Sequence, residues 1–150
     1  MPELKQRLKT DLNTSMKARD ELTTATLRMV LTAVTTEEVA GKQARELSDD
    51  EVLVVIRREG KKRREAAEAF DGAGRTELAA RERAESTVLD RYLPAQLADD
   101  ELAEIVATAI AETGATGPQG IGLVMKSVQP QIGGRADGKR VSDEVRRQLA

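Results

Sequence analysis

The residues best suited to chemistry are cations, gathered at two places. From Arg57 to Arg64 six positive side chains stand against one acid, Glu59, and Arg57, Lys61 and Arg64 share a helical face at i, i+4 and i+7. Such a row can track a phosphate backbone. A solvated helix face fits the same pattern, because Glu65 and Glu68 follow Lys61 and Arg64 by four residues and can pair with them. The second place is the loop Gly133 to Arg140, together with Lys126. Gly133, Gly134 and Gly138 permit positive φ and close backbone approach, and an Asp137-Gly138 helix start aims N–H groups at an anion. Arg135, Lys139 and Arg140 add long cationic arms. A plain helix connection uses the same residues, with glycine for geometry and cations for solubility.

Other chemistry is excluded by what is missing. The 150 residues include no His, no Cys and no Trp. There is therefore no imidazole base, no Ser-His-Asp triad, no thiolate and no zinc or iron–sulfur ligation. Phe70 and Tyr92 are the only aromatics, too few for a platform on which bases stack. The acidic pairs Asp49/Asp50 and Asp99/Asp100 sit where helix starts want acids. No lysine lies in an apolar run that would lower its pKa, and no phosphate-loop or dinucleotide fingerprint occurs. An autonomous enzyme is not expected, nor is a metal or cofactor.

The elements that must position these cations read as helices almost throughout. Leu4, Leu8, Leu12 and Met16 form one stripe. Leu27, Val30, Leu31 and Val34 form a second face that ends near Gly41, although the threonines between Thr23 and Thr36 weaken its helicity. Ser48 and Glu51 have capping-box spacing at the start of a helix running to Phe70, with a turn at Asp71–Gly74. A fourth helix carries Leu78, Val88, Leu89, Tyr92 and Leu93 up to Pro94. Beyond it come three shorter helices. The first has Leu102, Ile105, Val106 and Ala109 inside and is closed by Gly114. The next starts at Gly117-Pro118 and is broken at Pro130; the last carries Val141, Val145 and Leu149 and is capped by Asp137 or Ser142. Gly120 and Gly122 inside the middle helix each cost about 1 kcal/mol against Ala, and tight packing is expected to offset this.

The fold expected is all-α, with about four helices in residues 1–93 and a small three-helix domain in residues 94–150. The net charge of −2 hides a division. Residues 1–93 hold 18 basic and 18 acidic side chains, residues 94–115 none and five, and residues 116–150 six and three. The last segment is thus a mildly basic unit beside an acidic helix. The charged N-terminus lacks a signal-peptide core, and no apolar run approaches the length of a membrane span. A soluble cytoplasmic protein is expected.

Several short strings, taken in order, resemble the GatB/YqeY family over essentially the whole chain, and most closely its stand-alone YqeY-like proteins. They are Leu27-Arg28-Met29, Glu59 to Arg64, Ala73-Gly74-Arg75 and Tyr92-Leu93-Pro94-Ala95-Gln96-Leu97. In the C-terminal part they are Gly122-Leu123-Val124-Met125-Lys126, Pro130, and Gly134-Arg135-Ala136-Asp137-Gly138-Lys139 followed by Val141 and Val145. The resemblance implies a helical N-terminal domain and a three-helix domain similar to the tail of the GatB subunit of Asp/Glu-tRNA amidotransferase, which helps bind tRNA. On that basis Lys126, Arg135, Lys139 and Arg140 would face RNA backbone, and Asp137 would be the N-cap with Gly138 the first helical residue. Relatives often carry Lys at the positions of Gln131 and Gly133, so this surface is less basic than usual. The resemblance to GatB covers the tail only, without the part that phosphorylates and amidates aminoacyl-tRNA. Glutamine-dependent carbon–nitrogen ligation could accompany the family label, but no residue here is expected to perform it. A non-catalytic tRNA-associated accessory protein is the leading expectation. The alternative is an adaptor for an amidotransferase or another translation factor; neither DNA nor a membrane is an expected partner.

Overall fold

The computed structural model describes residues 2–150, whose regular secondary structure is all helical. In order come α1 (Glu3–Lys17), α2 (Glu21–Glu38), α3 (Asp49–Gly72), α4 (Thr76–Asp90), α5 (Asp99–Thr113), α6 (Ile121–Ile132) and α7 (Gly138–Leu149), with a 3-10 turn at Pro118–Gly120 leading into α6. The chain divides into two compact units, one closing at Leu93 and the other comprising Pro94–Ala150. No helix among the described residues is long and apolar enough to cross a membrane.

In the first unit the apolar stripes meet in one core, built around Leu8 of α1, Leu27, Val30 and Val34 of α2, Val52, Val55 and Ile56 of α3, and Val88 and Leu89 of α4. Met16, the last member of the α1 stripe, emerges from it and is exposed. The threonines of α2 are tolerated because their hydroxyls fold back on the helix. Thr26 donates to the Leu22 carbonyl, Thr35 to that of Leu31 and Thr36 to that of Thr32. At the start of α3 the capping box forms: Ser48 Oγ accepts the Glu51 N–H at 3.3 Å and Glu51 accepts the Ser48 N–H at 3.2 Å.

The sequence expectation needs correction at several boundaries. Helix α3 continues through Asp71 and Gly72, which shortens the expected turn, and Gly74 takes the left-handed conformation that ends it. Helix α2 stops at Glu38, before Gly41, and α4 stops at Asp90 rather than at Pro94. Tyr92 lies beyond α4 in the turn, buried, where it donates to Asp11 beneath the Arg7 guanidinium. Burial is the main reason the phenol is pushed above its ordinary range, with the Asp11 contact adding to it. Leu78 faces outward and Ala79 takes the buried place. Helix α5 spans 15 residues, as long as α1 and α4, so it is not one of a short set. Pro130 does not break α6, which carries on to Ile132. Pro130 is exposed, so the donor it lacks is missing on the side where water can meet the freed carbonyl.

Glu38 ties α1, α2 and the segment before α3 together. It accepts from Lys5 Nζ at 2.7 and 2.9 Å and from the Leu47 N–H at 3.1 Å. These two donors, Lys5 first, hold its carboxyl below the ordinary carboxylate value. A depressed carboxylate stabilises the fold above its unfolded value and loses that contribution as pH falls through its folded one. Glu38→Gln should therefore lower stability by about 1.5 kcal/mol at pH 7. The difference from the parent should shrink as pH drops below the usual glutamate range, as urea unfolding at several pH values will read.

The second unit packs Leu102, Val106 and Ala109 of α5, Val124, Val128 and Ile132 of α6, and Val141 and Val145 of α7 around its own core, with Leu97 and Ala136 completing it. Gly114 and Gly133 end α5 and α6 in the left-handed conformation. Pro118 opens the 3-10 turn with Gly117 before it.

Candidate nucleic-acid interface

The loop between α6 and α7 is built from both ends. Arg135 N–H donates to the Ile132 carbonyl at 2.9 Å across Gly133 and Gly134, both at positive φ. Ala136 then plugs the core, and Asp137 caps α7 by accepting the Arg140 N–H at 2.8 Å. Asp137 is the cap and Gly138 the first helical residue, and Ser142 lies inside the helix. The chain's own carboxylate therefore occupies the position at the start of α7 where an anion was expected to sit.

Two of the loop's arginines have a further task. The Arg135 carbonyl accepts the Leu97 N–H at 2.8 Å and its Nε donates to the Ala95 carbonyl at 3.2 Å. Arg140 donates to the Leu97 carbonyl at 2.6 Å and to Asp99 at 2.8 Å. Both arginines thus converge on the segment that leads into α5 and strap it over the core. Lys139 and Lys126 behave differently. Lys139 reaches out from α7, 88% exposed, with Asp143 at 3.2 Å. Lys126 is exposed on α6, and its side chain has no partner among the described residues.

The surface around Lys126 carries two more features. Leu123, one turn before it, is 53% exposed. Gly122 is exposed, and a Cβ there would meet nothing within 4 Å, so internal packing does not explain this glycine as expected. At Gly120 packing does explain it: a Cβ would lie 2.8 Å from that of Ala115. The outer side of α6 therefore offers a bare stretch of helix backbone beside an apolar side chain and a free ammonium.

The basic stretch of α3 does not form one open row. Arg57 is half-buried, Lys61 sits 3.9 Å from Glu65, and Arg64 donates to Ser86 of α4 at 3.4 Å instead of pairing with Glu68. Arg58 reaches across to Glu37 of α2 at 2.8 Å. Arg63 turns inward among three carboxylates, with Glu59 at 3.8 Å, Glu82 at 3.6 Å and Glu85 at 3.7 Å. The i, i+4 spacing of Glu59 and Arg63 was visible in the sequence, whereas the part played by α4 was not. Among the described residues no group of three or more potential ligands is placed to hold a metal ion.

A two-unit helical protein whose cations mostly brace its own framework is the class this geometry defines. The family of Yqey-like proteins matches residues 5–149, and the chain belongs to that family. It is also similar to an uncharacterized protein of Schizosaccharomyces pombe, 33% identical over 95 residues, which are 63% of this chain and 75% of that protein.

Proposed function

We propose that this protein is a non-catalytic accessory protein that associates with tRNA, gripping its backbone through the unit Pro94–Ala150. The observation that carries this reading is Lys126, a free ammonium one turn from a glycine that leaves the α6 backbone open to close approach. Lys139 supplies a second projecting cation. Family membership supports the reading through the tail-domain resemblance. With two aromatics in the whole chain, recognition rests on phosphates and shape. Few contacts mean modest affinity that weakens steeply with salt.

The test is a tRNA titration across a salt series with the intact chain and with Lys126→Glu/Lys139→Glu. This variant leaves the Arg135 and Arg140 straps in place. The intact chain should bind at low salt, and the variant should bind more weakly with a salt slope smaller by about 2. No binding by the intact chain, or equal binding by both, would sink the proposal. A second reading, an adaptor for a protein of the translation apparatus, draws on the exposed Leu123, because an apolar side chain beside bare backbone also suits a partner helix. Retention of such a partner after nuclease treatment, abolished by Leu123→Glu, would favour it.

A further inference from the structure

Helices α3 and α4 form the most extensively packed pair in the first unit, and their hairpin outruns the core. The last core residue on α3 is Ile56 and the first on α4 is Val88. Beyond them α3 continues for roughly 24 Å to Gly72, at 1.5 Å per residue. Between Lys61 and Glu85 only Ala67 and Ala79 are buried hydrophobics. Ionic contacts hold the pair together here: Arg63 with Glu82 and Glu85, and Arg83 with Asp71.

The end of this hairpin has a different composition from its shaft. Phe70, the chain's single phenylalanine, is only half-buried and belongs to neither core. Leu78 is 37% exposed, and Ala69, Ala73 and Ala80 are exposed. Arg75 stands in the turn with its guanidinium unpartnered among the described residues. Phe70 and Arg75 are of residue types enriched at protein interfaces, and Leu78 adds exposed apolar area at the same end of the hairpin.

We infer that the α3–α4 tip docks on a folded protein partner, seating Phe70 and Leu78 in an apolar pocket with a carboxylate at its edge for Arg75. Charge selects this occupant over a nucleic acid. Between Glu65 and Ala80 four exposed acids, Glu65, Glu68, Asp71 and Glu77, repel a polyanion, while Arg75 is the one cation in that stretch. The inference is independent of the RNA reading, which concerns the other unit.

A photo-crosslinking amino acid at position 78 of the full chain, expressed in the source cells, supplies the test, with position 54 on another exposed surface as control. The adduct specific to position 78 is identified, and the purified partner is titrated with the parent, with Phe70→Ala/Leu78→Ala and with Arg75→Glu. The adduct should map to an apolar surface bearing an Asp or Glu, and each variant should weaken binding at least about tenfold, with the melting temperature unchanged for Arg75→Glu. Reversing the partner's carboxylate to Lys should restore binding to Arg75→Glu. Crosslinks to RNA alone, to a second copy of this chain, or at position 54 equally would overturn the inference, as would variants that bind like the parent.

Discussion

Replacing Arg63 with alanine should lower stability by about 3 kcal/mol, the largest loss expected from any single charged residue in this chain. Arg63 lies between Glu59, Glu82 and Glu85, whose side chains are 8%, 18% and 12% exposed, and is itself 23% exposed. Without the guanidinium, three carboxylates held close by two helix backbones face one another in a site where water screens poorly. Lys62 still reaches Glu59 at 3.7 Å and Arg81 still reaches Glu85 at 3.2 Å, so Glu82 is left worst off. Losing one member of a buried ionic group costs more than the intact group contributes, because the survivors stay desolvated. The same reasoning predicts that Arg63→Met with Glu59→Gln and Glu82→Gln recovers most of the loss. Urea unfolding of the three proteins decides it. A drop below about 1 kcal/mol for Arg63→Ala would show that these carboxylates are screened like surface pairs.

That network also marks where the sequence stops being legible. The helices could be read because apolar spacing is a local signal, repeated over several turns in each, and the caps at Ser48 and Asp137 are local as well. Boundaries that depend on tertiary context could not. Pro130 stays helical because it happens to lie on the solvent side, and Tyr92 is taken out of α4 by Asp11, 81 residues away in sequence. The candidate site was legible only in part for the same reason. Arg135, Lys139, Arg140 and Lys126 look equivalent in the sequence. Arg135 and Arg140 are bound to the Ala95–Asp99 segment, with Arg140 reaching a carbonyl 43 residues away, and only the two lysines are left to project. A cation's type and position state what it can bind, but not which backbone carbonyls the fold will bring to it first.

Gly120 and Gly122 should respond to alanine with opposite signs, although they are two residues apart and read alike in the sequence. At Gly120 the new Cβ would lie 2.8 Å from the Cβ of Ala115, with the Ala115 backbone close behind, so the turn before α6 has to shift. The backbone there is in the ordinary right-handed region, so the loss comes from crowding and not from φ. Overpacking of this kind costs about 1–3 kcal/mol. At Gly122 nothing stands within 4 Å, and alanine should raise stability by up to about 1 kcal/mol through helix propensity alone. Gly122 is the second residue of α6 and no internal contact requires a glycine there, so the fold itself would accept alanine. If the outer side of α6 meets an RNA backbone, the methyl of Gly122→Ala stands between the helix and its ligand, and tRNA affinity should fall while the melting temperature rises. Gly120→Ala should lower the melting temperature and leave affinity unchanged at temperatures where the unit stays folded. A Gly122→Ala protein that is both more stable and equally good at binding would remove the open backbone from the argument and leave Lys126 and Lys139 to carry it by charge alone.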